Sequence, residues 1–316
     1  MAGMRAISVP AAVKDVRQRL GVYALLFFVA AVWGGSFVAA RTLLSPTSAN
    51  AIALSPTLLA AVRFLLASAI FAPLLVREHV TTRRVQWRDV PLFLLLGQLG
   101  IAVYFWLQYT GVRLTNAGIA AVLVVGLIPL ATLVTSALAL REGFGAARVG
   151  ALLLGAAGVL VVGGQRGLQI EASGGFLLGA ACLVADAACF AVYSTLIRGL
   201  RARYSPLTLT AGMMLAGTLG LLVLSAFTDD WRLLARLSVG QWLAIVYLAV
   251  ICSVLAYFAY NSALGRIEAS RAAVWLYLEP PTALLLGALL LGEPISPATV
   301  AGGLLIVGGL WLAQRR

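Results

Sequence analysis

Three ionisable residues stand inside apolar stretches of the sequence: Arg63, Asp186 and Glu279. A charged side chain at mid-helix costs roughly 2.5–3.5 kcal/mol in hydrocarbon, so such a residue is kept facing a cavity or a partner. Arg63 lies eight residues into its apolar run, about 12 Å deep at the helical rise. It suits a substrate carboxylate, and equally a structural ion pair with an internal acid. Asp186 has Cys182, Cys189 and Tyr193 at spacings of −4, +3 and +7, which puts them on one inward stripe of a helix. A carboxylate there fits proton coupling, a fixed counter-ion for Arg63, or an interhelical hydrogen bond. Glu279 immediately precedes Pro280-Pro281. Proline removes a backbone donor and clashes with the preceding turn, and broken membrane helices border ion and substrate sites. Glu279 therefore suits a gate or a brace for the kink. Pro129 is the counterpart in the first half, with no acid before it.

Aromatic and amide side chains supply a second set of candidate cavity residues. They are Trp33 and Ser36, then Gln98, Tyr104 and Gln108, then Tyr193, Tyr257, Tyr260 and Asn261, and finally Trp275 and Tyr277. Ring faces stack on apolar or cationic solutes, while amides fix polar ends. The same residue types also form the interfacial belt of membrane proteins, to which Tyr23, Trp87, Trp231, Trp242 and Trp311 are assigned. Trp275 precedes Glu279 by one helical turn, which predicts a shared face. Cys182, Cys189 and Cys252 have no metal-ligand spacing, and the single histidine, His79, sits in a polar segment. No metal, cofactor or catalytic residue is expected, and without a Walker sequence no ATP drive is encoded.

The elements that must position these residues are membrane helices. Of the 316 residues, 62% are hydrophobic and 11% charged, far from the balance of soluble domains. About 20 mostly apolar residues cross the hydrocarbon. Ten runs qualify: 20–40, 55–76, 90–110, 115–138, 146–164, 175–197, 206–227, 240–262, 269–290 and 297–314. An even count puts both termini on one side, after a tail at 1–19. If that side is cytoplasmic, the inner segments hold seventeen Lys and Arg residues and the outer segments five, namely Arg41, Arg113, Arg166, Arg232 and Arg236. That bias matches the positive-inside rule. The net charge of +12 is thus a topology signal and does not point to nucleic acid.

The halves 20–164 and 175–314 resemble each other. Tyr104-Phe105 with Arg113 recurs as Tyr257-Phe258 with Arg266, and Trp33, Arg41 and Leu43 recur as Phe190, Arg198 and Leu200. Leu140-Arg141-Glu142 matches Leu291-Gly292-Glu293. Five spans per repeat is an odd number, so the second copy starts from the opposite side of the membrane. The predicted fold is an all-α integral membrane protein of ten helices, two inverted five-helix repeats around a central cavity. Such repeats let two similar conformations open to opposite sides. Small residues recur in the fifth and tenth runs (Ala147, Ala151, Gly155 and Gly158; Gly302, Gly303, Gly308 and Gly309), where helices approach closely, within the chain or between two copies.

Three segments carry a family resemblance: Ala31 to Phe37 (AVWGGSF), Arg63-Phe64, and Tyr277 to Glu293 (YLEPPTALLLGALLLGE). With the duplication, the chain resembles the EamA branch of the drug/metabolite transporter superfamily. The resemblance implies a cavity lined by spans one to four and six to nine, with the fifth and tenth peripheral. It implies export of an amino acid, a related metabolite or a drug-like amphiphile from a bacterial-type inner membrane, with protons a candidate coupling ion. Phe190 stands where the family commonly has tryptophan. Two other readings compete with transport of this kind. A phosphate-linked exchanger would want several deep cations, and only Arg63 is deep. A membrane-embedded enzyme would need convergent acids, histidines or metal ligands. The partners expected are a small-molecule substrate and the lipid bilayer, the chain acting as a monomer or homodimer.

Overall fold

A computed structural model describes residues 11–44, 51–81, 85–114, 117–140, 145–164, 174–279, 281–282, 285 and 297–314. Every element among them is helical. In chain order they are α1 (Ala11–Leu44), α2 (Pro56–Thr81), α3 (Trp87–Leu114), α4 (Ala117–Leu140), α5 (Ala146–Gly164), α6 (Gly174–Leu200) and α7 (Pro206–Thr228). Then come a short 3-10 turn at Trp231–Arg236, α8 (Val239–Leu264), α9 (Ala269–Val274) and α10 (Pro297–Gln314). Among the described residues, helix covers the predicted apolar runs apart from Ser55, which caps α2. Pro280, Leu291-Gly292-Glu293 and Arg141-Glu142 lie outside the described residues.

Six stretches are long and apolar enough to cross a membrane among the described residues: Leu20–Leu44, Pro56–Glu78, Trp87–Leu114, Leu177–Leu200, Pro206–Thr228 and Val239–Leu264. Two shorter apolar helical stretches, Leu123–Ala139 and Val149–Gly158, fall in α4 and α5. The outer surface is apolar, with Phe27, Leu74, Leu153, Leu219, Phe227 and Leu304 exposed. A soluble monomer does not tolerate so much exposed hydrocarbon, and lipid is the solvent it matches.

Local sequence explains several helix starts. Ser55-Pro56 opens α2, and the Leu58 N–H donates to Ser55 Oγ at 2.9 Å. Ser205-Pro206 opens α7 in the same way, the Thr208 N–H donating to Ser205 Oγ at 3.0 Å. A capping serine followed by proline at the first helical position satisfies one free donor and removes another. Ser238 and Gln241 form a reciprocal capping box at the start of α8. Within α3 and α8 the helix widens to π geometry, at Gln98–Ala102 and Tyr247–Leu255. In the ninth segment it tightens to a 3-10 turn at Trp275–Leu278, one residue before the Glu279-Pro280 step. A proline in the sequence at 280 has no N–H to donate back, and in a regular α turn a proline ring clashes with the carbonyl four residues earlier, so the sequence disfavours such a turn there.

Packing is pairwise and reciprocal. Helix α5 lies along α10, α2 along α7, and α4 against α9; α6 packs on α3 and α4, as α1 packs on α8 and the 3-10 turn after α9. A Cβ on Gly309 would meet the Ala151 carbonyl at 2.7 Å and the Gly155 nitrogen at 3.0 Å, so the small residues of α5 and α10 serve close packing inside the chain. Helices α2 and α7 are tied along their length. Ser55 Oγ donates to the Asp229 carboxylate at one end, and Thr208 Oγ1 donates to Glu78 Oε2 at 2.8 Å at the other. Midway, the Ser68 and Thr218 hydroxyls meet at 2.7 Å. Where α3 crosses α7, a Cβ on Gly97 would lie 2.6 Å from the Met213 carbonyl. Beside the start of α3, Arg203 pairs with Asp89 at 2.9 Å, and the Tyr204 hydroxyl donates to the same carboxylate. Burial and that carboxylate push the Tyr204 phenol above its ordinary range.

Candidate functional site

Arg63 is only 2% exposed. Its Nε donates to Ser253 Oγ and its Nη1 to Tyr109 Oη, both at 2.8 Å. The guanidinium lies over the Phe105 ring at 4.4 Å and beside the Phe64 ring at 5.0 Å. Hydroxyls and ring faces thus hold the cation, an environment a planar guanidinium tolerates better than an ammonium. Among the described residues no carboxylate is ion-paired with it. Ser253 belongs to the π stretch of α8 and donates to the Leu248 carbonyl, five residues back, at 2.9 Å.

A small cavity adjoins the guanidinium. It is lined by Arg63, Trp33, Ser36, Tyr104, Gln108 and Glu279, with Phe37, Phe105, Phe190 and Tyr257 completing the wall. Its open volume of about 20 Å³ has room for about one water molecule. Its floor is aromatic: Trp33 packs on Phe190 at 5.8 Å and on Tyr257 at 5.2 Å, while Tyr104 packs on Phe190 at 5.3 Å. The Trp33–Tyr257 and Phe190–Tyr104 contacts are equivalent pairs, one from each half. The π stretches offer their carbonyls to this floor. Trp33 Nε1 donates to the Cys252 oxygen at 2.9 Å and the Tyr257 hydroxyl to the Gly100 oxygen at 3.3 Å. Widened turns of this kind recur at functional sites.

Of the sequence-derived candidates, Arg63, Glu279, Trp33, Tyr104 and Tyr257 meet around the cavity. Asp186 does not line it. Its side chain is fully buried, and among the described residues neither carboxyl oxygen has a hydrogen-bond partner. Gln108, which lines the cavity and donates to Tyr104 Oη at 2.9 Å, is its polar neighbour. Asp186 is therefore not the bonded counter-ion of Arg63. Gln98 is bonded to the Ala216 carbonyl at the α3–α7 contact. Tyr193 and Tyr260 lie toward the far end of α6 and α8, engaged by Asn261 and Ser194. Trp275 stacks on Tyr23 with ring centroids at 5.2 Å, and among the described residues its indole N–H has no partner. Pro129 is buried within α4, and Pro281 continues the helix after Glu279. Tyr109 and Ser253, which hold the guanidinium, were missed from sequence. Both are short-reach polar residues in apolar runs, and only the folded arrangement brings them to Arg63.

The profile of the EamA-like transporter family matches residues 20–164 and again 177–314. An uncharacterized transporter of Archaeoglobus fulgidus is 31% identical over 83% of this chain and 90% of its own length. A probable terminal-alkyne amino-acid exporter of Streptantibioticus cattleyicolor is 29% identical over 93% of each chain. A probable amino-acid metabolite efflux pump of Salmonella typhimurium is 28% identical over 91% of this chain and 93% of its own. One solved crystal structure shares the fold with a TM-score of 0.77, at 23% identity over 93% of this chain and 96% of its own. Two successive profile matches covering most of the sequence, together with a relative above 30% identity, establish that the chain belongs to the EamA-like transporter family of the drug/metabolite transporter superfamily.

Proposed function

We propose that the protein is a secondary transporter exporting a small zwitterionic metabolite, an amino acid or close relative, across an inner membrane by alternating access. The observation that carries this reading is that Arg63 of the first half and Glu279 of the second line one aromatic cavity. A guanidinium binds a carboxylate in a directed fork, and a carboxylate receives an ammonium. The rings between them take the side chain. The names of the amino-acid exporters among its relatives support the same class.

In this reading the chain has ten spans in two inverted repeats, 20–164 and 175–314, with both termini cytoplasmic. The two profile matches, the reciprocal helix pairs and the π stretches in α3 and α8 support the duplication. The arginine bias supports the orientation. Asp186, buried behind Gln108, is the acid assigned to proton coupling, and Glu279 and its prolines the bend that opens the ninth span.

Counterflow in proteoliposomes tests the proposal. Liposomes loaded with unlabelled amino acids are expected to take up the labelled form, and liposomes loaded with an apolar amine or with inorganic phosphate are not. Uptake driven by phosphate, or chemical alteration of the solute, would sink it.

A further inference from the structure

The two halves differ at one polar junction, and the repeat shows what the difference means. Matching Trp33 with Phe190 pairs Ser36 with Tyr193. Matching Tyr104 with Tyr257 pairs Gln108 with Asn261. In the second half these residues bond across helices. The Tyr193 hydroxyl of α6 donates to Asn261 Oδ1 of α8 at 2.7 Å, and Asn261 Nδ2 donates to Thr210 Oγ1 of α7 at 2.9 Å. Beside them the Ser194 and Tyr260 hydroxyls meet at 3.2 Å, again joining α6 to α8. All five side chains are fully or nearly fully buried. In the first half the same positions bond within their own helices and not to each other, with Gln108 also facing Asp186 of α6. Ser36 Oγ donates to the Trp33 carbonyl at 2.7 Å, and Gln108 Nε2 to Tyr104 Oη at 2.9 Å. Both line the cavity.

Equivalent positions are therefore bonded to each other across helices in the second half and, among the described residues, not bonded to each other in the first. Two repeats of one architecture can exchange these arrangements, which is how inverted repeats open alternately to opposite sides. We propose that Tyr193, Asn261 and Thr210, with Ser194 and Tyr260, form the gate that shuts the pathway where α6 and α8 end and α7 begins. Ser36 and Gln108 form the opposite gate, which closes when the first one parts. The aromatic floor separates the two, since the Phe190 ring contacts both Tyr193 and Tyr260 at 5.6 Å. The inference rests on the alternating-access reading and assigns these tyrosines to gating, not to substrate contact. The gate is cytoplasmic in the orientation proposed above.

The test reads accessibility, so it needs no substrate. Ser36→Cys is exposed to a membrane-impermeant maleimide in right-side-out and inside-out vesicles, with the parent chain giving the background of the native cysteines. The expected result is labelling from the outer side only. Adding Asn261→Leu removes two gate bonds and should lower outer labelling roughly five-fold or more while inner labelling appears. Tyr193→Phe, which keeps the ring, should shift it in the same direction by less and protects the test if Asn261→Leu fails to fold. Absence of outer labelling of Ser36→Cys overturns the proposal, as does an unchanged two-sided ratio in Tyr193→Phe. Should counterflow fail while the ratio shifts, the substrate assignment falls and the gate stands.

Discussion

Trp33 of α1 and Cys252 of α8 are joined by an indole N–H donating to a backbone carbonyl at 2.9 Å, across 219 positions of sequence. The acceptor belongs to a π-helical turn, so its oxygen is available to a neighbour in place of a regular α-helical bond. The bond fixes the tryptophan ring at the bottom of the cavity, against Phe190, Tyr257 and Tyr260.

Trp33→Phe keeps a ring and removes the donor. The Cys252 carbonyl is then buried without its partner, a loss of about 1–3 kcal/mol. A melting temperature in detergent several degrees lower is expected. Trp33→Ala adds a cavity and should cost more, about 3–5 kcal/mol. Equal melting of Trp33→Phe and the parent chain would show that the bond contributes nothing.

Arg63→Gln removes the charge the proposed substrate carboxylate needs. Transport is expected to fall roughly ten- to a hundred-fold, the usual worth of a charged hydrogen bond. Arg63→Lys should not restore it. An ammonium cannot span Ser253 and Tyr109 while also presenting a fork to the substrate. Initial-rate uptake with labelled amino acid measures both.

Asp186→Asn separates coupling from packing. Among the described residues neither carboxyl oxygen has a hydrogen-bond partner, and an amide of the same size still faces Gln108, so thermal stability should change by less than about 1 kcal/mol. Accumulation driven by a pH gradient should vanish, while exchange at equal pH persists. Retained pH-driven accumulation would remove Asp186 from the coupling step.

Gly97→Ala tests the α3–α7 crossing. Its Cβ would sit 2.6 Å from the Met213 carbonyl and the Gly217 nitrogen, atoms that cannot swing aside. Forced separation of such a contact costs about 1–3 kcal/mol, to be read as a lowered melting temperature.

The helices were legible from apolar runs because lipid demands a continuous apolar face of fixed length. Ser55-Pro56 and Ser205-Pro206 likewise announce α2 and α7. The cavity was legible only in part. Trp275 and Glu279 were expected on one face from a spacing of four, which assumes 3.6 residues per turn. The 3-10 turn at Trp275–Leu278 has about 3.0, and over four residues that sets the two side chains about 120° apart in place of about 40°. Trp275 accordingly stacks on Tyr23 while Glu279 reaches the cavity. The separation of Asp186 from Arg63, and the bond from Tyr193 to Asn261, depend on how helices from different halves rotate against each other. Spacing within one helix carries no record of that rotation.

The three ties between α2 and α7, one at each end and one in the middle, bear on how such a molecule moves. A slide of either helix along the other would strain all three together, since each runs through a short hydroxyl with little reach. Splaying at one face would open an end tie against the leverage of the middle one. The pair therefore resists sliding as a unit, and in the alternating-access reading proposed above the strokes that expose the cavity fall to α1, α3, α6 and α8.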